Sequence, residues 1–183
     1  MAAYFALLIA VLSRILPHAF ATTSVGFTAV GGGLLYFGAR RGRWQTVPAV
    51  LAMMATDYYL TTFVYHYAFH ANEYAVTWIW YAAVCLLGHQ MLAQKTSALR
   101  VAGAVLATST SFFVLSNLVV WSVSSMYPHT AAGLGACYVA AIPFYANDLM
   151  STAITAGAFF GLPALARNIA ATVREGQHSQ RPV

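Results

Sequence analysis

Asp57 and Arg14 are the residues through which this chain could do chemistry, because each sits inside an apolar run. A charge at bilayer depth costs at least about 2.5 kcal/mol on insertion scales, so an ionisable group kept there marks a functional site by default. Asp57 lies near the middle of the run 46–65, with Thr61 one helical turn on, and Arg14 lies late in the run 3–20. The two could neutralise each other as a buried pair, or each could reach a polar group of a ligand. A snorkelling Arg14 is the alternative.

Histidines form the second constellation. His66, His70 and His129 fall between apolar runs and His18 at the end of the first, and His66 and His70 are four apart, which on a helix puts both on one face. That spacing suits a metal ion, with Glu73 as a third ligand and His18 or His129 as a fourth, although the intervening Glu of the zincin motif is missing. The competing reading is interfacial histidines bonded to water, headgroups or backbone.

Aromatic residues gather at the same end: Tyr58, Tyr59, Phe63, Tyr65, Tyr67, Phe69, Tyr74, Trp78, Trp80, Tyr81, Trp121 and Tyr127. A headgroup belt explains aromatics at both faces of a membrane, but here the opposite end has mainly Trp44. An aromatic-lined cavity competes with the belt, since flat conjugated ligands stack on such walls while a few polar groups fix their orientation. Arg14, His18, Asp57, Asn117 and His129 are the polar candidates, and Trp78, Trp80, Trp121 and Tyr127 the stacking ones. Trp78, Tyr81, Cys85 and His89 share one helical stripe, and Thr110, Phe113, Asn117 and Trp121 another. Either stripe could line a cavity or hold helices together.

Several chemistries have no residues to carry them. There is no P-loop, GxSxG, HExxH or dinucleotide fingerprint, and four acids in total leave no acidic path for cations. No catalytic constellation emerges, so the chain does not read as an enzyme. Cys85 and Cys137 lie in or beside apolar runs and read as buried thiols.

The elements that must position these residues are membrane helices. Of 183 residues 60% are hydrophobic and 7% charged, roughly a quarter of the charge of a soluble domain, which excludes a soluble enzyme and disorder alike. Apolar segments at 3–20, 25–39, 46–65, 74–94, 99–122 and 147–168 give an all-α membrane protein with six transmembrane helices. Arg40, Arg41, Arg43, Lys95, Arg100, Arg167, Arg174 and Arg181 then share one side, and only Arg14 does not. By the positive-inside rule that side and both termini are cytoplasmic, so the net charge of +5 reports topology and not a nucleic-acid partner. Ala131–Ile142 is too short to span and is followed by Pro143, which predicts a short re-entrant or interfacial segment before the last helix. Asn147 or Asp148 then caps that last helix. The first segment, with no basic residue before Tyr4 and Arg14 inside its apolar run, reads as a retained helix and not a signal peptide. Residues 1–173 form a single integral membrane domain and 174–183 a polar cytoplasmic tail. Ala2, Ala6 and Ala10 make one small-residue stripe, Ala153, Gly157 and Gly161 another.

The order of motifs resembles a family of uncharacterised small bacterial membrane proteins related to S components of energy-coupling-factor (ECF) vitamin transporters. The resembling stretches are Arg14-Ile15-Leu16-Pro17-His18, Gly26–Gly31 with Tyr36–Ala39, Ala55–Leu60, Ser116–Trp121, Tyr127–Leu134 and Cys137–Phe144, spread over residues 12–165. The resemblance implies a multi-pass protein of the bacterial inner membrane that binds a vitamin or metal ion in an outward pocket. It also implies docking through Ala2, Ala6 and Ala10 onto a transmembrane coupling protein with ATPases. One S-component-like subgroup takes up cobalamin through a cysteine, for which Cys85 is the counterpart. The readings that compete with vitamin uptake are a structural accessory subunit of a membrane complex and a histidine-based metal or haem protein.

Overall fold

The computed structural model describes the backbone of residues 1–19 and 27–179 and the side chains of 1–16 and 27–173. It is all-helical over that range: α1 (Ala2–Ala19), α2 (Val30–Arg40), α3 (Thr46–Tyr59), α4 (Ala71–Leu92), α5 (Ala98–Val123) and α6 (Ala131–Ser179). A 3₁₀ turn, Arg43–Gln45, leads into α3, and a π turn, Leu60–Val64, continues it. Four stretches are long and apolar enough to cross a membrane: Arg43–Val64, Ala71–Leu92, Ala98–Val123 and Ala131–Val173. The large apolar side chains that remain exposed, among them Phe5, Leu51, Ile79, Leu106, Ile154 and Leu162, suit a lipid surround.

At the centre stands α2. Its 11 residues reach only about 17 Å, roughly half a hydrocarbon core. Every residue from Val30 to Ala39 is buried, under α1, α4 and α6. Glycine makes this possible. A β-carbon on Gly32 would lie 2.7 Å from the Ala156 nitrogen, and one on Gly33 would lie 3.0 Å from the Ala10 side chain. Across α4, a β-carbon on Gly38 would collide with the Cys85 carbonyl, and one on Gly88 with the Leu35 carbonyl. The two glycines let α2 and α4 touch backbone to backbone.

The segment expected to be re-entrant is the first part of α6, which runs unbroken through Pro143 and Pro163. Proline removes one backbone donor, yet α5 supports the helix on both sides of Pro143. Before it, the Tyr138 hydroxyl donates to the Val114 carbonyl (2.9 Å); after it, the Tyr145 and Thr110 hydroxyls pair at 3.0 Å. The Phe113 ring packs on both tyrosines. The Thr130 hydroxyl accepts the Gly133 amide (3.1 Å) at the true helix start. Asn147 and Asp148 therefore lie inside a helix and are not its caps. The helix also continues into the predicted tail, as far as Ser179.

Candidate functional site

Arg14 and Asp57 meet. Asp57 is 1% exposed and takes an ion pair from Arg14 on one carboxylate oxygen and the Trp78 indole N–H on the other (3.0 Å). The same Arg14 nitrogen also donates to the Tyr81 hydroxyl at 2.9 Å. Three helices supply this knot: α1 gives the cation, α3 the carboxylate, and one turn of α4 the indole and phenol. Trp78 and Tyr81 can both reach inward because they are three apart on a helix.

The knot forms one side of a cavity of about 550 Å³. Tyr74, Thr77, Trp80 and Tyr81 of α4 line it with Thr28, Val30 and Phe112, and Phe144, Asn147 and Asp148 of α6 close it. Phe144 and Asn147 also reach the protein surface. Its walls are aromatic. Trp80 packs on Phe112 with ring centroids 4.7 Å apart, while its N–H is held by the Ser111 hydroxyl (3.1 Å). Beside the knot, Phe69, Tyr74 and Trp78 stack, with Tyr58 edge-on to Phe69. Tyr74 shares a 2.6 Å hydrogen bond with Thr61 in the π turn, which widens the helix just after Asp57. Such turns recur at functional sites.

Of the predicted contacts, the structure brings together Arg14, Asp57, Trp78 and Trp80. Asn117, Trp121, Tyr127 and His129 lie elsewhere, at the α5–α6 corner. There the Trp121 indole donates to the Pro128 carbonyl (2.9 Å) and sits edge-on to His129, and the Cys137 thiol faces the Asn117 carbonyl at 3.6 Å. The α5 stripe joins helices; of the α4 stripe Trp78 and Tyr81 reach the site, whereas Cys85 packs on Gly38 and His89 lies 3.2 Å from the Arg41 carbonyl. The side chain of His18 lies outside the described residues.

Three expectations need correction. His66 and His70 share no helix face, because residues 66–70 are loop and His66 takes a left-handed backbone (φ 56°) that terminates the helix. Among the described residues no three His, Cys, Asp or Glu side chains gather to hold a metal. Ala6 and Ala10 are fully buried against Gly33, leaving only Ala2 exposed, so the α1 stripe packs this chain's own helices and offers no docking face. Cys85 is also fully buried, behind the contact with Gly38, and does not line the cavity. A cobalt ligand would have to be solvent-accessible.

Thr77, Phe112, Phe144, Asn147 and Asp148 were not anticipated as lining residues. Asn147 and Asp148 carried a signal, as polar residues next to an apolar run, but the assumed helix start after Pro143 assigned them to capping. The phenylalanines carried none.

The fold and site thus define an all-helical, membrane-type bundle around a polar-floored aromatic cavity. The chain belongs to DUF6580, a family of unknown function, over residues 1–174. No curated protein and no solved structure matches it.

Proposed function

We propose that this protein is an S-component-like membrane subunit that binds and translocates a small, flat, vitamin-like micronutrient. The observation carrying this reading is the cavity of about 550 Å³ that encloses a buried ion pair within aromatic walls. That volume is within the usual range for small-molecule pockets, and its mix of ring faces with a few fixed polar groups is what such ligands require. The ligand stacks on Trp80, Phe112 and Tyr74, and its polar groups meet Arg14, Asp57 and Asn147. Arg14 and Trp78 hold Asp57 in place before any ligand arrives, so the polar side of the cavity is preorganised.

The topology in this reading is six spans with both termini in the cytoplasm of a bacterium. It is supported by the eight basic residues that follow even-numbered segments. Energy comes from an ATPase module in trans through a coupling protein, because the sequence has no nucleotide-binding loop. Native mass spectrometry of the detergent-purified protein tests the proposal. A retained stoichiometric small-molecule mass supports it; bare polypeptide from cells grown in rich medium counts against it.

A further inference from the structure

Charged side chains line the aromatic cavity at three places, Arg14, Asp57 and Asp148. Arg14 and Asp57 pair and cancel. Asp148 has no such partner. The group that reaches its carboxylate is the neutral Ser109 hydroxyl, and among the described residues the Arg14–Asp57 contact is the only ion pair. The cavity is therefore left with a net negative charge. Asp148 carries it inside a stretch long and apolar enough to cross a membrane, where an unpaired charge is costly and points to function.

The cavity rings are also without a cation. Tyr74, Trp80, Tyr81, Phe112 and Phe144 line the walls. The face of each such ring is negative and attracts a cation placed over it, tryptophan most strongly. Elsewhere the chain fills such positions itself: Arg40 lies over Tyr36 at 5.4 Å and Arg41 over Tyr4 at 4.4 Å. Among the described residues no cation lies over a cavity ring.

We propose that the ligand of this cavity is a small organic cation, a flat ring bearing a quaternary or protonated nitrogen. Its charge pairs with Asp148 while its ring lies on Trp80 and Phe112. A neutral ring leaves Asp148 uncompensated, and an anion adds a second charge of the same sign. A bare metal ion gains little from aromatic walls, and no three ligating side chains gather for one among the described residues. The inference rests on the reading of the cavity as a small-molecule site and narrows its ligand to one charge class.

Equilibrium dialysis of the full chain in an uncharged detergent tests it, with detergent alone as the blank. The probes are 1-methylquinolinium, quinoline and 1-naphthoate, two-ring molecules of similar size that are cationic, neutral and anionic at neutral pH. The cation binds about tenfold or more tighter than quinoline, and naphthoate binds weakest. Asp148→Asn removes that preference, and Thr77→Trp, which fills the cavity, abolishes binding of every probe. Should Asp148→Asn fail to fold, Phe144→Leu gives a second test. That ring is 74% exposed, and its loss lowers the ratio of cation to quinoline affinity. Quinoline or naphthoate bound as tightly as the cation, yet lost in Thr77→Trp, overturns the charge class and leaves the cavity reading standing. A cation preference that survives Asp148→Asn, or an unchanged ratio in Phe144→Leu, also overturns the inference. No binding by any probe, or binding indifferent to Thr77→Trp, overturns the cavity reading and the inference with it.

Discussion

Removing the charge of Asp57 should rescue a chain that has lost Arg14. Asp57 is 1% exposed, and without Arg14 its carboxylate keeps only neutral donors, the Trp78 indole and the Tyr81 phenol, and no cation. Breaking a buried pair from one side costs about 3–5 kcal/mol, mostly from the charge left behind. Arg14→Leu is therefore expected to destabilise by that amount. In Arg14→Leu with Asp57→Asn the buried charge is gone, and the amide oxygen still accepts from Trp78. What remains lost is the bond from Arg14 to Tyr81 and its packing, a cost of about 1–2 kcal/mol. The double variant should then be more stable than Arg14→Leu alone by roughly 2 kcal/mol, against the usual rule that destabilising changes accumulate. Reversible unfolding in mixed detergent–SDS micelles, followed by tryptophan fluorescence, reads this difference directly. A double variant no more stable than Arg14→Leu would show that the pair does not hold the bundle as described.

Two further outcomes follow from the packing. Gly38→Ala and Gly88→Ala each place a β-carbon against a facing backbone carbonyl, so α2 and α4 must part, at a cost of about 3 kcal/mol in the same unfolding assay. Gly157→Ala and Gly161→Ala meet open space and should leave stability unchanged or raise it by up to about 1 kcal/mol; equal losses at all four positions would refute the backbone contact. Cys85 and Cys137 are both free and buried, so maleimide should label neither in the folded protein and both after denaturation. Native labelling of Cys85 would mean that the cavity reaches it.

Much of the site was legible where charge and periodicity agree. Arg14 and Asp57 are ionisable residues within apolar runs, and a low dielectric forces such groups to find one another. The α4 stripe of Trp78, Tyr81, Cys85 and His89 points inward as its spacing predicts. The errors share a cause: one-dimensional patterns do not say which neighbour a residue meets. Pro143 reads as a break because its missing donor is visible in sequence, whereas the support from Val114, Thr110 and Phe113 across the helix pair is not. That single misreading also turned Asp148 from a lining residue into a cap. The alanines of α1 mark close helix packing, and only the resemblance made them a docking face; the Gly33 surface that covers them lies on another helix. The helical pairing of His66 with His70 fails because the π turn and the left-handed His66 end the helix first. The centrality of α2 was hidden for a similar reason. Its glycines mark it as short and weak in isolation, and only contact on all sides shows why they are there.

The proposed function requires the aromatic cavity beside Arg14 and Asp57 to hold a small molecule. Native mass spectrometry of the wild-type protein beside Thr77→Trp tests it most directly, since the larger side chain fills the cavity without touching the ion pair. Trp121→Ala, at the α5–α6 corner and outside the cavity, serves as the control. One small-molecule mass is expected on the wild type and on Trp121→Ala, and none on Thr77→Trp. An adduct that persists in Thr77→Trp, or is lost in Trp121→Ala, would place the ligand elsewhere and rule out this cavity.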